Sequence, residues 1–452
     1  MAIFRPRRTG RPEPWACLLF FKPTTTLAVG AIMRESNPSH TPAAEKPKSR
    51  PFTAGKKAIE NLVSIDWQTI YRYSIAWRHQ LHQIPELGYQ EKLTSDAIAR
   101  VLKQLQIPYK RGFGGGTGIL AQINGRGDRC VALRADMDAL PVTELTGMEW
   151  QSRHPGLMHA CGHDGHMAIA LGAAAALAHV RNQLPGRVKI LFQPAEEGLN
   201  GAQRMCRDGV LENPKVDAIF GLHGWPGLPV GTIGYRQGVF LAAVDSLVIE
   251  IHGKGTHAAS PHHGADPIAC GAALLQALAG LLASNIDPID TVVLTIGTFN
   301  AGRASNVVPE SATLSGTLRT LSPTTRRQAV KLIQHTCRTV AATHRCKAAC
   351  RFTSTTPTTV NAAPEANFLR KTASSLLGSA KVIEFHQPFL WSEDFAYYLK
   401  RVPGCFFVLG VRPPGRREYP MLHNPLYDFP DAALPTGIRL MTELAYGRLN
   451  AP

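Results

Sequence analysis

The chain has 452 residues and little of what several protein classes require. It contains no stretch of 18 apolar residues free of charge, so no membrane-spanning helix is expected and no membrane partner. Its nine cysteines make no disulfide framework, because their number is odd and their spacing irregular. Cys337, Cys346 and Cys350 lie close together without a CxxC pair, and reduced thiols in a cytoplasmic protein are the expectation. Acidic residues are few: 33 Asp and Glu stand against 49 Lys and Arg, a formal net charge of +16. Residues 1–60 hold 11 basic and 4 acidic residues and so contribute +7, while the rest of the chain spreads +9 thinly. No RNA- or DNA-binding motif accompanies that charge, so nucleic acid is not an expected partner.

Residues 1–60 are also a poor signal peptide. Their apolar run, Trp15 to Phe21, is short and is interrupted by Lys22 and Pro23. A transit segment and an over-long start, with Met33 as initiator, both stay open, and the stretch is read as a basic, disordered tail.

From Asp66 onward strands and helices alternate, which points to an α/β sheet-and-helix catalytic domain with ligands at the carboxyl ends of strands. Trp67–Leu105 reads as helical with a break at Pro85. Gly118–Ile123, Cys130–Ala135, Val188–Gln193 and Val216–Leu222 read as strands, and Gly165–Val180 as a buried helix. The glycine run Gly112–Gly118 looks like a nucleotide-binding loop, but a strand follows it rather than a helix, so it is read as a turn. A second unit begins near Asp245. Its order is strand (246–251), helix (267–283), strand (291–297), strand (312–319), helix (323–343), strand (348–353), a ferredoxin-like βαββαβ pattern. Ser322 suits the N-cap of its second helix and Pro323 the first turn. The expected organisation is therefore tail 1–60, catalytic part 61–244, inserted unit 245–356 and catalytic part 357–452.

The chemistry sits at predicted strand ends. His159-Ala160-Cys161-Gly162-His163-Asp164-Gly165-His166 packs thiolate and imidazole donors for a transition metal into eight residues. Taken alone, such a cluster can also be an ordinary polar loop. Gln193-Pro194-Ala195-Glu196-Glu197-Gly198 ends an apolar run. On non-helical backbone its neighbouring carboxylates diverge, so one can hold a metal while the other faces a water. Gly221-Leu222-His223 and Leu422-His423 each place a lone histidine, and a lone histidine is more often a hydrogen-bonded structural residue. Arg134-Ala135-Asp136-Met137-Asp138 sets two aspartates on one face, where one could orient a metal-binding histidine.

Together these motifs resemble the M20 metallopeptidase family, specifically its amidohydrolase branch of hippurate hydrolases, N-acyl-L-amino-acid amidohydrolases, auxin-conjugate hydrolases and N-acetyl-diaminopimelate deacetylases. The resemblance runs from about Trp77 to about Gly437. It opens with Trp77-Arg78-His79-Gln80-Leu81-His82-Gln83-Ile84-Pro85-Glu86-Leu87-Gly88 and includes 158–166, 193–198, 255–262, 306–309 and 392–395. It implies two divalent ions per subunit (Mn2+, Zn2+ or Co2+) held by Cys161, His163, Glu197, His223 and His423, with Cys161 shared. It also implies Glu196 as general base and Asp138 as support. The wider family usually has His where Asp136 stands, so the Cys-containing ligand set of this branch is the one that fits.

The resemblance further implies that the inserted unit dimerises and closes over the site, bringing His257 as an oxyanion donor and Asn306 as a substrate contact to the partner subunit. Arg319, ending a strand, suits a substrate carboxylate. The expected reaction is hydrolysis of the amide bond of a small N-acyl amino acid. The alternatives are a dipeptidase or N-acetyl-diaminopimelate deacetylase on the same scaffold and, more distantly, a non-catalytic metal-binding regulatory protein. Retention of Glu196 argues against the last.

Overall fold

The computed structural model describes residues 65–451; the basic 1–60 segment lies outside the described residues. An eight-stranded sheet forms the larger layer. Its spatial order is Tyr109–Phe113, Gly118–Asn124, Arg187–Gln193, Cys130–Asp136, Ala218–Pro229, Gly404–Arg412, Ile233–Tyr235 and Val382–Glu384. The four central strands run parallel and every residue of Cys130–Asp136 is buried. Alternate side chains feed opposite faces, as the twofold strand period demands. Val131, Leu133, Ile190 and Phe220 enter one core; Cys130, Ala132, Leu191 and Ile219 enter the other. Helices Trp67–His82, His163–His179 and Leu434–Asn450 pack together on the first face. The glycine run at 112–118 is the turn of an antiparallel hairpin.

A second sheet has four antiparallel strands in the order Val292–Ala301, Ser311–Thr320, Ala243–His252, Lys347–Thr356. Helices Pro267–Asn285 and Pro323–Thr343 share a separate core with it, in which Leu247, Ile249, Leu274, Leu314, Ile333 and Cys337 are buried. The Ser322 hydroxyl accepts from the backbone N–H groups of Thr324 and Thr325, and Pro323 starts the helix as its spacing predicts.

Two sequence expectations change. Helix Pro267–Asn285 carries no Asp, Glu, Lys or Arg. With mean hydropathy 1.7 it is long and apolar enough to cross a membrane by length and composition. The sequence expectation of no such charge-free segment therefore fails here, where only Gln276, Ser284, Asn285 and two glycines interrupt alanines, leucines and other apolar residues. In the fold Leu274, Leu278 and Leu282 bury against the small sheet while its outer face stays exposed. The strand expected to end at Leu222 continues to Pro229. Past Gly221 its ladder runs only with Gly404–Arg412, so no strand among the described residues pairs its other side and Pro226 costs no ladder bond there.

Candidate active site

The loops at the carboxyl ends of the central strands meet in one place. Strand Cys130–Asp136 delivers Asp136 and then Asp138; strand Arg187–Gln193 delivers Glu196 and Glu197; His223 lies within Ala218–Pro229. Gly162 takes φ +83 immediately before helix His163–His179, and a β-carbon there would meet the Tyr427 hydroxyl at 2.9 Å. This left-handed corner turns Cys161 and His163 to the same side. His423, itself at φ +67, is held by its N–H donating to the Ala160 carbonyl at 2.8 Å.

The donor atoms of Cys161, His163 and His223 lie within 4.8 Å of one another, as do those of Cys161, Glu197 and His423. Cys161 belongs to both groups. All five residues expected as ligands therefore converge, and the hydrogen bonds around them suit ligation. His163 Nδ1 lies 2.8 Å from the Asp138 carbonyl, so it carries the proton and leaves the buried, otherwise unpartnered Nε2 with a lone pair. His223 Nδ1 likewise donates to the Gly224 carbonyl at 2.8 Å, which turns Nε2 toward Cys161 Sγ at 3.4 Å. Burial, with His166 next to it, holds the His223 imidazole neutral. Glu197 Oε1 and Asp138 Oδ1 are buried without a hydrogen bond, although Glu197 Oε1 lies 3.3 Å from His423 Nε2. A thiol, imidazoles and a carboxylate aimed at one small volume fit divalent transition metals.

His166 looked equally suited to ligation in the sequence, but its lone pair is already used. Gly224 N–H donates to His166 Nε2 at 2.8 Å, and His166 Nδ1 donates to Asp136 at 2.7 Å. Asp136 also receives Arg134 at 2.6 Å. Both aspartates flank His163, Asp138 at 3.3 Å and Asp136 at 3.7 Å, as the alternation on one strand face suggested.

Glu196 is half-buried at the same mouth. Burial, and after it the carboxylates of Glu393 and Glu197, push its carboxyl well above the usual carboxylate range, a property suited to a proton carrier. Arg134 faces it from behind, bonding Glu393 at 2.8 Å and Asp394 at 3.1 Å.

A cavity of about 450 Å³ opens over these groups, lined by Cys161, Glu196, Glu197, His223, Arg319 and His423 together with Trp225, Val244, Trp391 and Leu422. Arg319 reaches it from the small sheet and donates to the Leu390 carbonyl at 2.8 Å. Trp225 and Trp391 stack at 4.5 Å, with Trp391 edge-on to His223. Trp225 follows His223 in its sequence element without a role of its own, and Trp391 carries no spacing signal. His257 and Asn306 are exposed and lie outside this cavity, in the small two-stranded pairing of Thr256–His257 with Val307–Val308.

Comparison with known proteins places this geometry. The profile of peptidase family M20/M25/M40 matches residues 132–447, which include all the converging groups. The chain belongs to peptidase family M20/M25/M40. Within it, the similar proteins include hydrolases of amino-acid conjugates and a deacetylase. The IAA-amino acid hydrolase ILR1-like 2 of Arabidopsis thaliana is 38% identical over 382 residues, covering 83% of this chain and 85% of the relative. The N-acetyl-L-cysteine deacetylase of Bacillus subtilis strain 168 is 37% identical over 371 residues, covering 82% and 86%. A Bacillus subtilis structure described as a dinuclear metal binding peptidase from the M20 family superposes with a TM-score of 0.73 at 33% identity, covering 85% of this chain and all of that one. This M20 protein is a metal-dependent amidohydrolase.

Proposed function

We propose that the protein hydrolyses the amide bond of small N-acyl amino acids, yielding a carboxylate and a free amino acid. The observation that carries this is the convergence of Cys161, His163, Glu197, His223 and His423 beside Glu196, at the floor of a cavity that also receives Arg319 and that all but the buried His163 line. Two divalent ions per subunit, manganese, zinc or cobalt, would supply Lewis acidity toward the water and the scissile carbonyl. Glu196 accepts the proton from the attacking water and returns it to the departing nitrogen. Asp138 holds the proton of His163 away from the donor cluster by fixing the ring through its carbonyl. Arg319 keeps guanidinium N–H groups beyond the one given to Leu390 and offers them to the substrate carboxylate. The Trp225–Trp391 wall and Leu422 suit an apolar acyl group.

On this reading residues 245–356 are an inserted ferredoxin-like lid and dimerisation domain between catalytic parts 61–244 and 357–452. Two features support a homodimer. Val292–Ala301 is an edge strand, and beside it an apolar groove of about 620 Å³ runs along helix Pro267–Asn285. His257 and Asn306 then serve the partner's site. The N–H of Ala259 donates to His257 Nδ1 at 3.1 Å, so the ring proton sits on Nε2 as an outward donor for an oxyanion.

The test is Glu196→Gln, assayed against acetyl-, benzoyl- and indoleacetyl-amino acids with manganese or zinc added. Turnover is expected to fall about a hundredfold or more, with metal content near that of the parent. Near-parental turnover in this variant would overturn the assignment of the base.

A further inference from the structure

The loop that carries Glu196 and Glu197 is held by backbone contacts as well as by its own residues. Ala195 sits at φ +56, a left-handed conformation that a β-carbon disfavours, and Asn200 repeats it at φ +60. Such residues persist only where the surroundings over-determine them, and they gather at functional sites. Here three carboxylates each accept one backbone N–H of the loop at 2.9 Å: Glu91 from Ala195, Asp138 from Glu197 and Asp394 from Ala202. Asp138 and Asp394 already belong to the cluster around the site. Glu91 does not, and no sequence motif singled it out.

Glu91 is fully buried immediately before helix Lys92–Gln104, yet its side chain does not cap that helix. Oε1 receives Ala195 N–H, and Oε2 receives the Thr117 hydroxyl at 2.7 Å. The segment before it is packed on the same loop. The Tyr89 hydroxyl donates to the Leu199 carbonyl at 2.6 Å, and a β-carbon on Gly88 would lie 3.0 Å from Ala195 Cα. The Glu86 carboxylate takes the first N–H groups of that helix instead, from Leu93 at 3.2 Å and Thr94 at 2.9 Å, so Glu91 is left to bind the strained amide of Ala195.

We propose that Glu91 is a positioning residue: it holds Ala195 left-handed and so sets the directions in which Glu196 and Glu197 leave the backbone. The inference rests on the proposed roles of Glu196 and Glu197, but its structural part can be tested without them.

Glu91→Leu keeps the volume and removes both acceptors. With metal saturating, kcat is expected to fall about a hundredfold, the scale of a general-base contribution, while KM changes by less than about threefold because the loss falls on the transition state. Glu91→Gln can still accept from Ala195 and donate to Thr117, so it should restore most of the rate. Glycine adopts φ +56 without strain. Ala195→Gly, nearly silent alone, should therefore recover at least about tenfold of the loss in the double variant, a coupling that a merely structural role would not produce. In metal-free protein, amide exchange of residues 194–202 should quicken in Glu91→Leu and not in Glu91→Gln. Should Glu91→Leu fail to fold, Glu91→Asp, with the charge kept and the reach to Ala195 lost, carries the same measurements.

Unchanged exchange in 194–202, or equal losses with Ala and with Gly at 195, would overturn the proposal. A parent protein inactive on every N-acyl amino acid would instead overturn the functional reading, and the exchange measurement would still decide the role of Glu91.

Discussion

Three histidines and a cysteine crowd residues 159–166, and their types alone do not say which of them can ligate. His163 can, because its Nδ1–H donates to the Asp138 carbonyl and Nε2 is left for an ion. His166 cannot, because the Gly224 N–H fills its lone pair. His159 is buried without a hydrogen bond, and burial lowers its imidazole to about 4, so it stays neutral. Cys161 is the most telling member. Burial, and then the carboxylates of Glu197 and Glu196, push its thiol well above the ordinary value. Only the thiolate ligates, so ion binding must displace its proton. Metal affinity should therefore rise with pH. Cys161→Ala should lower bound metal and activity, flatten that pH dependence and leave the protein soluble. Elemental analysis checks it, and full occupancy in the variant would show that the ligand set is wrong.

At the scale of elements, pattern and packing diverge most at helix Pro267–Asn285. Its composition is apolar all round, and neither periodicity nor charge marks an inner face. The sheet beneath selects Leu274, Leu278 and Leu282, leaving Ala279 and Ala283 exposed in the groove beside the free edge Val292–Ala301. An unpaired edge next to an apolar helix face invites a second copy. Ala279→Glu would place a charge in that groove. On the proposed homodimer, it should shift the protein from dimer to monomer in sedimentation equilibrium without lowering its melting temperature by more than a few degrees. A variant that remains dimeric would place the interface elsewhere. Helix Pro323–Thr343 is the opposite case, legible from Ser322, Pro323 and the one-face spacing of Val330, Ile333, Cys337, Val340 and Ala341; Ile333, Cys337 and Ala341 are buried and the two valines half-buried.

A buried polar network joins parts of the chain that are distant in sequence. Arg78, from the first described helix, binds Asp164 at 3.2 Å, Asp428 at 2.9 Å and Asp431 at 2.6 Å. His82, one turn on, lies between Asp164 at 2.9 Å and Glu144 at 3.2 Å. Burial works to lower the His82 imidazole, but the two carboxylates outweigh it and raise it from 6.5 to about 9. A folded pKa above the unfolded one gives stability that is complete below about pH 6.5 and is lost as pH rises through about 9. The whole contribution is at most about 3 kcal/mol. His82→Gln should accordingly lower the melting temperature at pH 6, and its deficit should shrink by pH 9.5. Thermal unfolding across that range measures it, and a deficit independent of pH would remove His82 from the network's ionic balance.

Much of this was determined by the sequence. Apolar runs of strand length bounded by Gly and Asp, the βαββαβ order after Asp245, and a fixed succession of Cys, His and Glu motifs follow from local period and spacing, which each segment carries in itself. They carried the resemblance to the family, and that resemblance in turn implied the candidate ligands and the candidate base. Tertiary structure decided what no segment holds alone. It showed which nitrogens of His163 and His166 are already used, that the strand through His223 runs on to Pro229 because Gly404–Arg412 keeps pairing with it, and that Trp225, Trp391 and Arg319 share one cavity. It also showed that Glu91 reaches Ala195 across 104 residues of chain. Those facts depend on hydrogen bonds and contacts between residues far apart in the chain, and the sequence contains no periodicity from which such pairings can be read.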